Sequence, residues 1–224
     1  MDAHDLMSHV DLTLLRPNAA WTEIHAAAEQ ALRYGAAAFC AAPSWIERLR
    51  LTFPDLRLAT VVGFPCGFHH PGVKAFEAEM AVAQGADEID LVLDQGAIAD
   101  KAYHRSLAEI LAVRDAVPRT VLKVIVETCY LHRIDKIELC HAINASGADY
   151  LKTSTGFGPA GAQLDDMPLL RQTLEARVKI KAAGGIRSRE QIEAFLAAGA
   201  DRIGSSNAVA ALFPEDSAPS PFRN

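Results

Sequence analysis

Three lysines lie inside short apolar segments of the kind that form buried strands. They are Lys123 in V-L-K-V-I-V-E, Lys152 in Y-L-K-T-S-T and Lys181 in V-K-I-K-A-A-G-G, spaced 29 residues apart. Burial and neighbouring positive charge both favour the neutral amine of a lysine over its ammonium form. Lowering a lysine pKa from about 10.4 to about 7.5 raises the free amine at pH 7 several hundredfold. We therefore expect depressed pKa values here, and at least one lysine that attacks a carbonyl carbon to form a Schiff base.

An alternative is that each lysine only neutralises a buried carboxylate. The candidate carboxylates are Asp11, Asp90 and Glu127, which lie in apolar segments of the same kind. Side chains alternate along a strand, so Asp90 and Val92 share one face. If that face points inward, Asp90 can reach a lysine, which fits a catalytic role as well as a structural one.

A second group of residues, near the carboxyl terminus, has the composition of a phosphate site. Gly184-Gly185 follows one predicted strand, and Gly204-Ser205-Ser206 follows the next. Glycine lets the backbone approach an anion closely, and the serine hydroxyls and Arg187 would add hydrogen-bond donors. The alternative is that these glycines only form tight turns.

Two other chemistries have weaker support. The segment Gly156–Gly161 has the spacing G-x-G-x-x-G, but the next strand lacks the acidic residue that a dinucleotide site uses for the ribose. We interpret it as a flexible loop that could add N–H donors for phosphate. The adjacent histidines, His69 and His70, sit beside Pro71 where their side chains diverge, so no catalytic metal is expected.

The elements that must position these residues alternate regularly along the chain. Apolar segments rich in β-branched residues predict eight strands, at Val10–Leu15, Ala37–Ala41, Ala59–Phe64, Glu88–Leu93, Val121–Glu127, Tyr150–Thr155, Val178–Ala183 and Arg202–Ser205. Amphipathic segments between them predict helices at Thr22–Tyr34, Val73–Gln84, Lys101–Ala116, Ile134–Ser146, Leu164–Glu175 and Ser188–Ala198. Four of the helices are followed by a glycine suited to a C-cap, namely Gly35, Gly85, Gly147 and Gly199.

Eight such units of about 28 residues account for the whole chain, which favours a single (β/α)8 TIM barrel. The barrel is predicted to cover residues 1–214 as one catalytic domain, with residues 215–224 as a short polar tail. An open, doubly wound sheet uses the same alternation and is the alternative, although such sheets usually have fewer strands.

Composition and charge exclude several classes of function. Half of the 224 residues are hydrophobic and the formal net charge is −6, so the chain can bury a core but does not attract nucleic acid. No uncharged stretch approaches the roughly 20 apolar residues of a membrane helix, and the amino terminus lacks a secretory signal, so we expect a cytoplasmic protein without membrane contact. The four cysteines lack C-x-x-C spacing, which predicts reduced thiols.

Seven segments together resemble the deoxyribose-phosphate aldolases. They run in the family's order from about Val10 to Val209 and read V-D-L-T-L-L, V-V-G-F-P, G-A-D-E-I-D, L-K-V-I-V-E-T, G-A-D-Y-L-K-T-S-T-G-F-G, K-A-A-G-G-I-R and R-I-G-S-S. The resemblance implies a class I aldolase that reversibly cleaves 2-deoxy-D-ribose 5-phosphate to D-glyceraldehyde 3-phosphate and acetaldehyde. It also implies that the enzyme needs no cofactor or metal, and that it forms a homodimer or a higher homo-oligomer.

The same resemblance implies a role for each matching residue. Lys152 matches the Schiff-base lysine, Lys181 the neighbouring cation that lowers its pKa, and Asp90 the acid–base partner that works with Lys181 and a water. Asp11 and Lys123 match members of a supporting charge network. Positions that line the sugar pocket match Thr13, Cys40 and Thr155. Positions that contact the phosphate match Gly156, Gly184, Gly185, Gly204, Ser205 and Ser206.

The chain also departs from the family pattern. Some members end in a tyrosine that assists proton transfer, whereas this sequence ends at Asn224, a difference that bears on turnover rate rather than on the reaction. Asp94 and Ala42 stand where many members carry Asn, and Arg16 where many carry Lys. Two alternatives stay open at this point: another phosphate-binding barrel enzyme, such as a keto-acid aldolase or a phosphosugar isomerase, or a barrel that binds a phosphosugar without turnover.

Overall fold

A computed structural model of the chain, which describes residues 1–216, contains eight parallel strands closed into a barrel. Each strand pairs with the next one in sequence, and the last pairs with the first. The predicted (β/α)8 barrel is therefore confirmed, and the open sheet is excluded. The strands are β1 Val10–Leu14, β2 Ala38–Ala41, β3 Leu58–Val62, β4 Glu88–Val92, β5 Val121–Ile125, β6 Tyr150–Lys152, β7 Lys179–Ala183 and β8 Arg202–Ser205.

Helices surround the barrel, and short 3-10 turns connect several of them to the strands. Within residues 1–216 the α-helices are α1 Ala3–Met7, α2 Trp21–Arg33, α3 Ile46–Thr52, α4 Pro71–Ala83, α5 Gln95–Ala99, α6 Tyr103–Ala116, α7 Arg133–Ser146, α8 Met167–Thr173, α9 Arg189–Ala197 and α10 Ala208–Leu212. The sequence predicts a glycine cap for α7, and Gly147 provides it in the left-handed conformation, at φ 73°.

The structure differs from the predicted elements mainly at the carboxyl ends of the strands. β5 stops at Ile125 rather than at Glu127, because Glu127 adopts a left-handed φ of 55° that takes the chain out of the strand. β6 stops at Lys152 rather than at Thr155. The sequence does not predict α1, α3, α5 and α10, because five to seven residues are too few to show a helical period.

The apolar core has two parts. The larger one lies between strands and helices, where strand residues such as Leu12 and Phe39 join helix residues such as Ile110 and Leu139. Burial of each such side chain contributes about 1.5–3 kcal/mol. The smaller part consists of four side chains on β2 and β3, Ala38, Cys40, Ala59 and Val61. In this smaller part, β2 and β3 contribute only small or apolar side chains. The buried charged side chains inside the barrel lie on the other strands.

The last described segment is a 3-10 turn at Pro214–Asp216, after α10. The division between a catalytic domain ending at residue 214 and a tail beginning at 215 stays a prediction. Residues 217–224 of that tail, including the predicted departure at the carboxyl terminus, lie outside the described residues.

A buried ion pair outside the barrel holds the carboxyl end of β4. Lys74 on α4 donates from Nζ to the backbone oxygen of Val92 at 2.8 Å, to that of Gly67 and to the carboxylate of Glu109 on α6. The second oxygen of Glu109 accepts the backbone N–H of Asp94 at 3.2 Å. Both side chains are buried. One cation thus ties together two helices, the end of β4 and the loop after β3.

We expect Lys74→Met to destabilise the fold by about 3–5 kcal/mol at neutral pH, because it leaves the Glu109 carboxylate buried without its cation. Urea unfolding measures the loss. Burial raises the pKa of Glu109 even beside Lys74, so the deficit of the variant should shrink on acidification, where Glu109 binds a proton in the folded state. The double variant Lys74→Met/Glu109→Gln should recover part of the stability. Equal stability of the single and double variants would contradict this account.

Candidate active site

The three lysines of the apolar segments meet inside the barrel. Lys123 lies on β5, Lys152 ends β6 and Lys181 lies on β7, and the strand register sets Lys152 beside Lys181. On the other side, the register sets Lys123 of β5 beside Asp90 of β4. All four side chains are buried. Their convergence follows from the alternation of side chains, which sends every second residue of each strand into the barrel.

The carboxylate of Asp90 is the centre of this cluster. Its Oδ1 accepts a hydrogen bond from Lys123 at 2.7 Å, and its Oδ2 accepts from Lys152 at 2.8 Å and from Lys181 at 2.7 Å. A second carboxylate, Asp11 on β1, accepts from Lys181 and lies 3.7 Å from Lys123. The two aspartates therefore share two lysines, while Lys152 bonds only to Asp90 within the described ion pairs.

Two further charged residues extend the cluster away from Lys152. Arg202 on β8 donates from Nη1 to Asp11 at 2.5 Å, and Glu88 on β4 lies 2.7 Å from the Lys123 ammonium. Arg202 and Glu88 are themselves 3.6 Å apart. Among the buried residues that the structure describes, the connected carboxylates are Asp11, Glu88 and Asp90, and the connected basic groups are Lys123, Lys152, Lys181 and Arg202. The exposed Arg57 also lies 3.9 Å from Glu88, at the edge of this buried set. Within this buried set, Lys123, Lys181 and Arg202 balance the three carboxylates in charge when Lys152 is neutral.

The protonation of the lysines follows the same division. Burial, helped by the positive charge of Lys181, lowers the pKa of Lys152 even though Asp90 opposes the shift. Burial acts in the same direction on Lys123 and Lys181, but the attraction of Asp90 and Asp11 outweighs it and raises both pKa values. The expectation of depressed pKa values for all three is wrong for Lys123 and Lys181. For these two, the alternative of paired, charged lysines describes the structure.

Both aspartates are held as anions. Burial alone would raise the pKa of Asp90, but the lysines around it hold the value well below the usual range. The pKa of Asp11 falls to about 2, since Lys181, Lys123 and Arg202 together outweigh the effect of burial. Asp90 is therefore a charged hydrogen-bond acceptor beside a lysine whose pKa is lowered, which suits it to receive or relay a proton.

A cavity of about 320 Å³ opens above Lys152 at the carboxyl ends of the strands. Eight of the nine predicted pocket and phosphate residues line it together with Lys152. Seven of them are Thr13, Thr155, Gly156, Gly184, Gly185, Gly204 and Ser205. The exposed Ser206 lines it too. Asp90, Asp11, Lys123 and Lys181 are buried and do not border the cavity, so Lys152 is the one member of the described charge cluster that a ligand in it can touch.

Cys40 is placed differently from the other predicted pocket residues. It is fully buried on β2 inside the barrel and does not border the cavity. Burial and the negative charge of Asp90 raise the pKa of its thiol to about 11, so it is protonated at neutral pH. Thr13 does border the cavity, with its hydroxyl donating to the backbone oxygen of Asp11 at 2.9 Å.

The far end of the cavity is formed by the loops after β7 and β8. Arg187, after β7, borders the cavity, and so does Arg16, after β1, which is paired with Glu23. The hydroxyl of Ser205 is already committed, since it donates to the backbone oxygen of Ile186 at 2.7 Å and accepts from the backbone of Asn207 at 3.1 Å. The backbone and the exposed hydroxyl of Ser206 are thus the better candidates for direct contact with an anion.

Glycine at position 204 lets β8 lie close to the lysine cluster. A Cβ added there would stand 2.9 Å from the Cβ of Ala183 and 3.3 Å from Cε of Lys181. Any larger residue would therefore press on Lys181 and disturb its bonds to the aspartates. This glycine belongs as much to the packing of the charge cluster as to the predicted phosphate site.

Sequence reasoning missed two charged residues of the cluster and misplaced a third. Glu88 and Arg202 join the cluster although neither is a sequence candidate; Glu88 shares the strand face of Asp90, two residues away, and this spacing could have indicated it. Glu127, a candidate partner for a lysine, instead accepts hydrogen bonds from the backbone and hydroxyl of Thr155. Asp94 caps α5 by accepting from Gly96 at 3.0 Å and does not border the cavity.

Comparison with known proteins agrees with this geometry. The sequence model for DeoC/LacD family aldolases matches residues 5–210. The chain belongs to this family. It is 48% identical over 213 residues to a deoxyribose-phosphate aldolase of Thermus thermophilus, a match that covers 94% of this chain and 97% of the relative. It is 42% identical over 217 residues to a deoxyribose-phosphate aldolase of Clostridium botulinum, covering 96% and 98% of the two chains.

A solved structure supports the same assignment of fold. Deoxyribose phosphate aldolase from Aeropyrum pernix, described as a unique tetrameric structure, superposes with a TM-score of 0.86 at 29% identity. The superposition covers 96% of this chain and 93% of that one. As a member of the family, this chain is an aldolase, a lyase that breaks and forms carbon–carbon bonds. Among residues 1–216, no helix is long and apolar enough to cross a membrane.

The charge balance of the cluster predicts a role for Arg202 in keeping the pKa of Lys152 low. Arg202→Met removes one cation, so the carboxylates attract a proton to Lys152 and its pKa rises. An amine nucleophile acts above its pKa, so the rising limb of the pH–rate profile should move upward by about one pH unit. The rate of borohydride trapping of the Schiff base, recorded over a pH series, measures this upward shift.

Arg202→Lys, which keeps the charge, should restore most of the wild-type profile. Arg114→Met is the matched control, because Arg114 pairs with Asp149 at 2.7 Å outside the charge cluster. An Arg202→Met profile at or below the wild-type position would contradict the proposed balance.

Proposed function

We propose that this aldolase reversibly cleaves 2-deoxy-D-ribose 5-phosphate to D-glyceraldehyde 3-phosphate and acetaldehyde, with Lys152 as the Schiff-base nucleophile. The observation that supports this proposal most directly is the position of Lys152. It is the one lysine of the buried charge cluster whose pKa is lowered, and its side chain borders a cavity that is also lined by Gly184, Gly204 and Ser206. One end of the cavity thus suits an aldehyde carbon, and the other suits a phosphate.

The proposed first step joins the substrate to the enzyme. The Lys152 amine attacks the C1 aldehyde, the resulting hydroxyl takes up one proton and leaves as water, and an iminium that carries a positive charge remains. This charge appears within hydrogen-bond reach of Asp90, whose Oδ2 lies 2.8 Å from the Lys152 nitrogen. The developing cation is thus stabilised by an anion that is already in place, which lowers the barrier electrostatically.

In the second step the C2–C3 bond breaks. The C3 hydroxyl gives up its proton, its oxygen forms the new carbonyl, and the electrons of the C2–C3 bond move toward the iminium to give an enamine. D-glyceraldehyde 3-phosphate then departs. The iminium is the electron sink, so this route needs neither a metal nor another cofactor.

The last step returns the enzyme to its starting state. A proton adds to C2 of the enamine, and water hydrolyses the resulting iminium to acetaldehyde and free Lys152. Asp90, Lys181 and a water are the proposed proton carriers, since Lys181 bonds Asp90 at 2.7 Å and stays charged. Asp11 and Lys123 support this relay, because Asp11 bonds Lys181 and Lys123 bonds Asp90. Thr13 and Thr155 would contact the sugar, whereas Cys40 would act only through the packing of the barrel interior.

We also propose that the phosphate binds the backbone and hydroxyls of the loops after β6, β7 and β8. The residues are Gly156, Gly184, Gly185, Gly204, Ser205 and Ser206, with Arg16 and Arg187 at the rim. The enzyme is further proposed to act in the cytoplasm, because a charged phosphate ester does not cross a hydrocarbon bilayer unaided. The tetrameric Aeropyrum pernix relative supports a homo-oligomer, either a homodimer or a larger assembly.

Borohydride reduction in the presence of acetaldehyde tests the nucleophile. Peptide mass spectrometry should find an ethyl group on Lys152, and Lys152→Ala should lose both the adduct and the retro-aldol activity while remaining folded. Lys179→Ala is the matched control, since Lys179 is an exposed lysine on the neighbouring strand. An active enzyme without an adduct would favour an isomerase, and an adduct on another lysine would reassign the nucleophile.

Ser206→Asp tests the phosphate end of the cavity. The added carboxylate repels the phosphate, so kcat/KM for 2-deoxy-D-ribose 5-phosphate should fall about tenfold, whereas kcat/KM for unphosphorylated deoxyribose should change less than about twofold. Ser206→Asn has a similar shape without the charge and should retain the preference for the phosphorylated sugar. Equal losses for both sugars in Ser206→Asp would remove Ser206 from the phosphate site.

A further inference from the structure

Glu127 is a buried carboxylate at the mouth of the barrel that the mechanism above does not use. It follows the end of β5, its side chain is only 3% exposed, and its backbone has a left-handed φ of 55°. Non-glycine residues adopt that conformation rarely, and where they do the surrounding structure must hold them there. The contacts of Glu127 show what holds it and what it holds in turn.

The carboxylate of Glu127 binds the loop that follows Lys152. The backbone N–H of Thr155 donates to both carboxylate oxygens at 3.2 Å, and the Thr155 hydroxyl donates to Oε2. The loop also packs directly on the carboxylate, since a Cβ added to Gly158 would stand 3.3 Å from Cδ of Glu127. Glu127 therefore fixes the position of Thr155 and the direction of its hydroxyl proton.

The hydrogen-bonding capacity of the Thr155 hydroxyl is largely used within the protein. A hydroxyl has one proton to donate and two lone pairs that accept. The proton goes to Glu127, and one lone pair accepts the backbone N–H of Phe157 at 3.0 Å. Thr155 borders the cavity. Toward a ligand, its hydroxyl can thus accept one more hydrogen bond but cannot donate one.

This restriction selects among aldehydes. A carbonyl oxygen only accepts hydrogen bonds, whereas a hydroxyl on the neighbouring carbon can donate one to Thr155. We infer that Glu127 is a positioning residue that makes Thr155 an obligate hydrogen-bond acceptor, so that the site favours aldehydes bearing a hydroxyl next to the carbonyl. The inference rests on the proposed aldol reaction, in which such an aldehyde is joined to acetaldehyde in the synthetic direction.

The test compares two aldehydes that differ by one hydroxyl. D-glyceraldehyde 3-phosphate carries it, and 3-phosphooxypropanal lacks it. The readout is the ratio of their kcat/KM values for addition of acetaldehyde, which a uniform loss of activity does not move. In the wild type the ratio should favour glyceraldehyde 3-phosphate by about tenfold or more.

In Glu127→Gln the ratio should fall to within about twofold of unity. The amide that this substitution introduces would offer N–H donors to the Thr155 oxygen, and this releases the hydroxyl proton to turn toward the cavity. Thr155→Val should lose the preference as well, and adding Glu127→Gln to it should leave the ratio unchanged, because both changes act through one hydroxyl. Glu77→Gln is the matched control. Glu77 accepts the backbone N–H of Gly63 at 2.8 Å in the loop after another strand, and it does not border the cavity.

A wild-type ratio in Glu127→Gln, or a ratio that shifts further in the double variant than in Thr155→Val, would overturn the inference. If Glu127→Gln does not fold, the Thr155→Val variant tests the inference instead. A wild-type kcat/KM ratio of the two aldehydes in Thr155→Val would show that Thr155 does not select between them. Failure of the proposed function is distinguishable, because the wild type would then join acetaldehyde to neither aldehyde.

Discussion

The attraction between buried carboxylates and buried lysines governs the centre of this molecule. An uncompensated charge inside a barrel would cost several kcal/mol, so the charged side chains on β1, β4, β5, β7 and β8 must match in number as well as in position. They match when Lys152 carries no charge. Asp90 makes this possible because it bonds three lysines at 2.7–2.8 Å, yet two of the three have further carboxylates to hold their protons. The lowered pKa of Lys152 is thus a property of the whole cluster.

The barrel interior, where the charge cluster lies, and the carboxyl ends of the strands, where the cavity lies, differ in their physical environment. Below, every charged group has a partner and is closed off from water, which keeps the electrostatic interactions strong. Above, the strands end at Ile125 and Lys152, and the chain turns into loops whose glycines and hydroxyls border the cavity. The buried Lys74–Glu109 pair and the Glu127–Thr155 contact secure the loops from outside the charge cluster. Rigid supports at the mouth allow a small substrate to be held in one orientation.

Much of this arrangement follows from local patterns in the sequence. The repeated βα units predict the closed barrel, and the equal spacing of the lysines predicts that they lie on successive units. Strand alternation correctly groups Asp90 with the lysines. What a pattern cannot show is which cation bonds which carboxylate across the barrel. The raised pKa values of Lys123 and Lys181 depend on Asp11 and Asp90, and those contacts join residues 33 to 170 positions apart. The alternative of a lysine partner for Glu127 does not describe its contacts, since Glu127 accepts from the backbone N–H and the hydroxyl of Thr155.

The contrast between Lys152 and Lys181 explains how two adjacent lysines can serve different steps. Both are buried, and the register sets them side by side, but only Lys181 reaches Asp11 as well as Asp90. The second anion raises the pKa of Lys181, and the charge so retained helps to lower that of Lys152. In the proposed mechanism, Lys152 is therefore available to bind carbon while Lys181 keeps a proton to give.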